Sequence, residues 1–396
     1  MVEAEGEARK YWPQWRGPSG RGAAAGSGFP DSWSDQENVR WKVAVPGRGN
    51  SSPILWKDRI FLTTAHAADR RAVLCFRRGD GKLLWEAAAP PPDSVEHVQR
   101  KNSYATATPA TDGDRVYALF GNAGLIAVDF SGKLVWHYGF GATSNYHGPG
   151  GSPLLYKDRI IFFQDQGQRS GSFVAAIDAR TGRQLWKTPR SGTVGWGTPV
   201  AIRAGNRDEI VINGQHAVRA YDPDTGRELW SASGSTAEVI PTPAVGHGLV
   251  FCPSGRAGPT LAIRPEGSGD VTSTHIAWQT PRGSPFVPSP LVYGEHLYLV
   301  NDMTSIATCL EAKTGRLVWQ GRLGAERQEG FSASPAAADG KVFFTNDDGE
   351  TYVLAAGPEF KLLRVNRLGE PTLASPALVD RTWYFRTANH LVAIGR

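Results

Sequence analysis

The feature that most constrains this chain is an eleven-residue pattern, Ala176-Ile-Asp178-Ala-Arg-Thr181-Gly182-Arg-Gln-Leu-Trp186, that recurs along its length. Ala220-Tyr-Asp222-Pro-Asp-Thr225-Gly226-Arg-Glu-Leu-Trp230 keeps every landmark, Cys309 to Trp319 changes two of them, and more altered copies end at Trp85, Trp136 and Trp278. At the turn, Asp and Thr can bond the backbone and glycine can take positive φ, while the runs on either side are apolar. Each copy therefore reads as a β-hairpin whose second strand carries a large aromatic ring.

A second marker, Ser or Thr followed by Pro, precedes each unit at Pro53, Pro109, Pro153, Pro199, Pro243, Pro290, Pro335 and Pro376. Successive prolines are 56, 44, 46, 44, 47, 45 and 41 residues apart, which gives eight units. A fixed period of this length marks a repeat architecture. Between the markers lie β-rich runs such as Arg59-Ile-Phe-Leu-Thr-Thr64 and Lys341-Val-Phe-Phe-Thr345, without a helical period of useful length. The expected fold is all-β: an eight-bladed β-propeller of four-stranded antiparallel blades. The eighth unit stops one strand short, while Asn38-Val-Arg-Trp41-Lys-Val-Ala-Val45 resembles a last strand with no blade before it. That N-terminal strand is expected to complete the last blade and close the ring, removing a free sheet edge. Residues 1–37 then form an arm, partly irregular, in which Trp12 and Trp15 anchor the tail, and residues 38–396 form the ring. The seventh unit has Arg364 where the pattern places tryptophan, so its outer strand is expected to pack less well and, as the weakest-packed edge, to be the place where a peptide could pair.

Composition narrows the function classes. Lys plus Arg number 43 against 38 Asp plus Glu, yet the basic residues are scattered, so no nucleic-acid surface is expected. Cys75, Cys252 and Cys309 fall in strands of different units and read as small buried hydrophobes without metal-ligand spacing. No apolar run approaches the ~18 residues of a membrane span. The stretch Met1 to Lys10 is charged and unlike the apolar core of a signal peptide. There is no Gly-x-Ser-x-Gly elbow, phosphate-binding loop or His-Glu-x-x-His motif. Asp222-x-Asp224-x-Gly226 imitates a calcium loop but lacks the following Glu and coincides with the hairpin turn, so no metal is assigned.

The repeated pattern Ala-x-Asp-x-x-Thr-Gly-x-x-x-Trp resembles the propeller repeat of pyrroloquinoline-quinone (PQQ) dehydrogenases and of their cofactor-free, BamB-like relatives, over roughly residues 38 to 396. The resemblance implies the propeller, and it implies an exported protein, periplasmic or secreted, with the cytoplasm left open. In the enzymes it would imply PQQ with calcium, an adjacent-cysteine disulfide, a catalytic aspartate and long insertions. This chain has no Cys-Cys pair and, at its repeat length, little room for insertions.

If each innermost strand begins at the Ser/Thr-Pro marker, the segments before the markers and the loops between second and third strands share one face, while the Thr-Gly turns lie on the other. Loops gathered at a channel mouth can converge on a ligand. The candidate ligand-binding residues there are Asn102, Tyr104, Tyr146, His147, Trp196, Arg256 and Glu329, with no catalytic residue assigned. Aromatic and amide groups supply stacking and directional hydrogen bonds, so the expectation is a non-catalytic binding or scaffolding propeller, without cofactor. It would act as a monomer on a protein partner or a small polar or carbohydrate ligand. The alternative is a PQQ-dependent oxidoreductase or a carbohydrate-active enzyme using the same face.

Overall fold

The computed structural model describes residues 1–166, 171–190, 194–326 and 330–396. Eight antiparallel sheets follow one another in chain order, each with its strands running from the channel outwards. Blade 1 is typical, with strands Ile54–Trp56, Arg59–Ala65, Arg71–Arg77 and Leu83–Ala88. Its inner three strands are buried on both faces because neighbouring blades sandwich them, which is why they read as continuous apolar runs. The outermost strand is largely exposed.

The ring closes as the termini require: Val39–Ala44 pairs antiparallel with His390–Ile394, with Lys42 opposite Val392. Deleting residues 1–45 is therefore expected to leave blade 8 with an unpaired edge and to abolish the monomeric fold. Size-exclusion chromatography and a melting curve would check this, and a monomer of unchanged stability would refute it.

The repeat's landmarks interlock between blades. In the turn, Asp178 Oδ1 accepts from the backbone N–H of Thr181 at 2.7 Å and from its hydroxyl at 2.6 Å, and Gly182 takes φ +74°. Trp186 donates its indole N–H to the Pro223 carbonyl of the next blade at 3.0 Å, and Trp85, Trp136, Trp278 and Trp319 do likewise to Phe130, Ala179, Ala312 and Gly357. Each ring lies over the next blade's turn, so that a Cβ built on Gly182 would stand 2.7 Å from Trp136. The turn glycine thus answers two demands, positive φ and room for the preceding tryptophan. Trp230 instead donates to Glu209 Oε2 at 2.8 Å. The following unit has the longer Gly267-Ser-Gly269 turn, and its residues Gly269–Asp270 add a short parallel strand beside Glu228–Ser233.

The Ser/Thr-Pro marker has a structural reason as well. The backbone N–H of seven of the eight marker residues donates to the hydroxyl of the next blade's marker, from Ser52 to Thr108 at 2.9 Å and onward through Ser152, Thr198, Thr242, Ser289 and Ser334 to Ser375. These seven links stitch the innermost strands circumferentially at one level of the channel.

The outer strand of blade 7 is loosely packed as expected, with Leu362, Leu363 and Arg364 all exposed, but the strands inside it are covered by another route. Trp33, brought in by the arm, is buried and stacks on Phe343 at 6.2 Å and 16°. Phe343 stands in the second strand of blade 7 where Phe61, Tyr117, Phe251 and Tyr298 meet their own blades' tryptophans at 5.7 to 6.0 Å. Trp33 also packs on Trp383 and Phe385 of blade 8. Asn366 of the outer strand fastens this stretch, donating to the Asp31 carbonyl at 2.9 Å and accepting from the Trp33 N–H. The slot left by Arg364 is filled by a tryptophan from elsewhere in the chain, although Leu362 and Leu363 of that outer strand remain exposed.

The rest of the arm floors the channel. Trp12 exchanges backbone hydrogen bonds with Leu55, Thr111 donates to Pro13, Val2 donates to Ala201 and Ala337 donates to Gly22. All four ring residues lie two positions past the marker proline. Trp12 is buried, as the anchoring role predicts, whereas Trp15 is half-buried beneath the Arg16 guanidinium at 5.6 Å. Arg16 is itself buried and donates to the Pro290 and Pro335 carbonyls, and burial pushes its pKa down to about 9.

Candidate functional site: the channel mouth

Going up the channel from the arm, the hydroxyl ring comes next, and two residues before it lies the rim of a cavity of about 210 Å³. Its lining contains one residue from every blade at the same phase, three positions before the marker proline: Asn50, Thr106, Gly150, Trp196, Ile240, Val287, Ser332 and Leu373. Lys101, Asn102, His147 and Pro149 complete it. The ring is lopsided. Trp196, Ile240 and Val287 form an apolar arc on successive blades, and Ser332, Asn50 and Thr106, joined by Lys101 and Asn102 and interrupted by Leu373 of blade 8, form a mostly polar arc opposite.

The candidate residues separate into three groups. Asn102, His147 and Trp196 reach the mouth. Asn102 ties the loops of blades 2 and 3 together, its amide donating to the His147 carbonyl at 2.7 Å and the Pro149 carbonyl at 2.8 Å. Trp196 is buried and donates to the Gly148 carbonyl at 3.0 Å, so only part of its ring meets the cavity. Tyr146, His147 and Trp196 form an aromatic cluster with centroids 4.5 to 5.4 Å apart.

Tyr146 and Arg256 stand on the rim. Tyr146 is exposed and donates to Glu238 Oε1 at 2.7 Å, Arg256 pairs with Glu238 Oε2, and the Arg256 guanidinium lies 4.6 Å from the Phe286 ring. Partial burial of Glu238 works against its charge, but the bonds from Arg256 and Tyr146 prevail and hold its pKa below the usual carboxylate range. Burial and the hydrogen bond to Glu238 raise the Tyr146 phenol. Tyr104 lies outside the lining: its ring sits under the Arg71 guanidinium at 4.7 Å and its hydroxyl donates to the Glu96 carbonyl, so it shapes the loop that carries Lys101 and Asn102. Glu329 lies outside the described residues.

Asn50, Lys101, Thr106, Pro149, Gly150, Ile240, Val287, Ser332 and Leu373 are the mouth residues beyond those candidates. The sequence carried a signal for seven of them in their constant offset from the marker prolines. Lys101 crosses the rim to Asp347 of blade 7, Nζ to Oδ2 at 2.6 Å. Burial raises the Asp347 carboxyl, with Lys101 opposing. Asp302 is wholly buried, accepts from the Phe286 N–H at 2.7 Å, and burial pushes its pKa up to about 6. It thereby holds in place the residue beside Val287. Among the described residues, no three His, Cys, Asp or Glu side chains are gathered as a metal site. Cys75, Cys252 and Cys309 are free thiols buried in three different blades.

Fold and mouth define an eight-bladed repeat propeller with a cavity at the mouth and a larger one, of about 590 Å³, between the arm and blades 1 to 4. The chain belongs to the family described as outer membrane protein assembly factor BamB, whose model matches residues 32–201 and 213–357. It is 32% identical over 180 residues to the outer membrane protein assembly factor BamB of Moranella endobia, covering 44% of this chain and 41% of that one. Across the curated relatives it matches, the chain spans 37 to 41% of their length. Among solved structures, BamB from Moraxella catarrhalis superposes with a TM-score of 0.59 at 14% identity, covering 89% of this chain and 95% of that one. A quinohemoprotein alcohol dehydrogenase from Pseudomonas putida superposes with a TM-score of 0.71 at 13% identity, covering 97% and 80% respectively. The fold is thus shared by an assembly factor and by quinone enzymes, and does not itself decide between them.

Proposed function

We propose that the protein is a non-catalytic binding propeller whose mouth receives a side chain from a segment of a partner protein. The observation that carries this reading is the size and lining of the mouth. A cavity of about 210 Å³ falls below the roughly 300–1,000 Å³ of small-molecule sites, yet it offers an apolar arc facing a polar one. One side chain of an extended segment can fill it while the segment's backbone lies along the rim. The assembly role in the relative's name favours a protein partner and a periplasmic setting. No helix among the described residues is long and apolar enough to cross a membrane, which leaves β-barrel spans aside.

A quinone suits the mouth poorly. PQQ is a planar tricarboxylate, and Asp302 and Asp347 stand beside the ring where they would repel it, while Lys101 and Arg256 are already engaged by carboxylates. No cysteine pair lies near enough to stack on it. Calorimetric titration with PQQ and Ca²⁺, with a dye-linked oxidation assay on alcohols and sugars, is expected to show neither uptake nor turnover. Stoichiometric uptake with turnover would overturn the proposal in favour of an oxidoreductase.

A further inference from the structure

We infer that the group the mouth receives is a protonated amine on an aliphatic stem, such as a lysine side chain of the partner, and that Lys101 holds its place until the partner arrives. This rests on the mouth being the binding site.

Most donors of the polar arc are spent internally. Both amide hydrogens of Asn102 go to backbone carbonyls, and its oxygen accepts from Ser103 and Thr106. One hydrogen of the Asn50 amide goes to the Lys101 carbonyl at 3.2 Å, and the Ser332 hydroxyl donates to Asp347 Oδ2 at 3.2 Å. Two carboxylate oxygens nearby lack a donor. Asp347 Oδ1 is buried and makes no hydrogen bond, and the same holds for Oδ2 of Asp302, whose carboxylate feels the Lys101 charge. Just behind the lining at this part of the rim, two carboxylates therefore lie near one ammonium among the described residues. A buried acceptor without a donor costs free energy that an incoming N–H recovers. An anionic ligand would meet two like charges instead, and a purely apolar one would leave the carboxylate oxygen without a partner.

The stem has its own surface. Trp196, Ile240, Val287 and Leu373 line the cavity, and methylene groups pack on such walls while the charged head stays with polar partners. Trp196, the ring of the aromatic cluster that an amine's stem would meet, adds part of an indole to this wall. Lys101 already shows the arrangement in miniature. It enters from the loop before blade 2, lines the cavity, and seats its ammonium on Asp347 of blade 7. A partner's amine would share or take over that carboxylate, and Lys101, whose side chain is 30% exposed, has room to shift.

The test is calorimetric titration of the full chain with three short, blocked peptides that differ at one central residue, which is lysine, norleucine or glutamate. The lysine peptide is expected to bind about tenfold more tightly than the norleucine peptide, the scale of one charge-assisted hydrogen bond, and the glutamate peptide weakest. Asp347→Asn should bring the lysine and norleucine peptides level, while Lys101→Met should strengthen the lysine peptide several-fold. Melting curves would establish that both variants are folded. Equal affinity for lysine and norleucine, both abolished by Ile240→Arg, would sink the charge inference and leave the mouth reading standing. No binding of any peptide, to wild type or to Lys101→Met, would sink both.

Discussion

Replacing Trp33 with alanine should destabilise the protein by about 3–5 kcal/mol, the usual cost of removing a large buried aromatic ring. The reason is positional. Trp33 stacks on Phe343 and bridges to Trp383 and Phe385, so it packs the blade 7 to blade 8 boundary, although its indole N–H lacks the hydrogen bond that the repeat tryptophans make. Two features distinguish this from an ordinary core truncation. First, the loss should loosen the arm around Trp33, where backbone bonds to Asn366 and the ion pairs of Asp31 would be left to hold it without the ring's packing. Hydrogen exchange in residues 28–37 would then rise along with the fall in melting temperature. Second, a tryptophan restored at the repeat position should compensate. Arg364→Trp in the Trp33→Ala background is expected to recover part of the lost stability, whereas Arg364→Trp alone would make two rings compete for one slot. A double variant no more stable than Trp33→Ala would refute the substitution of one ring for the other.

The comparison of sequence with structure has a clear physical pattern. Blade number, strand order and ring closure were legible because each rests on a local rule repeated many times: a turn that demands glycine, a hydroxyl that accepts from its neighbour, a tryptophan over the next turn. Repetition also fixed the phase, so Trp196 fell at a mouth position three residues before Pro199. The same phase pointed to Ile240, Val287 and Leu373, but apolar residues in apolar runs read as core, and only the ring geometry turns them toward the channel. Tyr104 was drawn to the site by its neighbour Asn102, although successive residues of a loop need not face the same way, and its ring turned to Arg71 instead. Trp33 was not legible. Its partner Phe343 lies at the other end of the chain, and nothing in the local pattern of residues 28–37 announces a surrogate for a missing repeat residue. Lys101 was hidden for a similar reason: its ion pair with Asp347 spans six blades in sequence but only the mouth in space.

The second large effect concerns the loop that presents Lys101 and Asn102. Arg71 and Glu96 form a wholly buried, two-pronged ion pair, with Nη1 to Oε1 at 3.0 Å and Nη2 to Oε2 at 2.8 Å. Glu96 also accepts from the Asn122 N–H at 3.1 Å, and Arg71 donates to the Ala68 and Phe120 carbonyls. The pair thereby pins the irregular segment after blade 1 to the body of blades 1 and 2. Glu96→Leu alone would strand a buried guanidinium and is expected to cost about 3–5 kcal/mol. Replacing both partners, Arg71→Leu with Glu96→Leu, should be far milder, because paired desolvation is removed together with paired attraction. Stability and function should then part company. The double variant keeps a folded ring, yet it loses the cation over Tyr104 and the clamp on the loop, so Lys101 and Asn102 are no longer held at the rim. Its melting temperature should approach that of the wild type while its affinity for a mouth ligand falls. If binding survives intact in a stable double variant, the mouth does not depend on this loop, and the polar arc must be sought on the other blades.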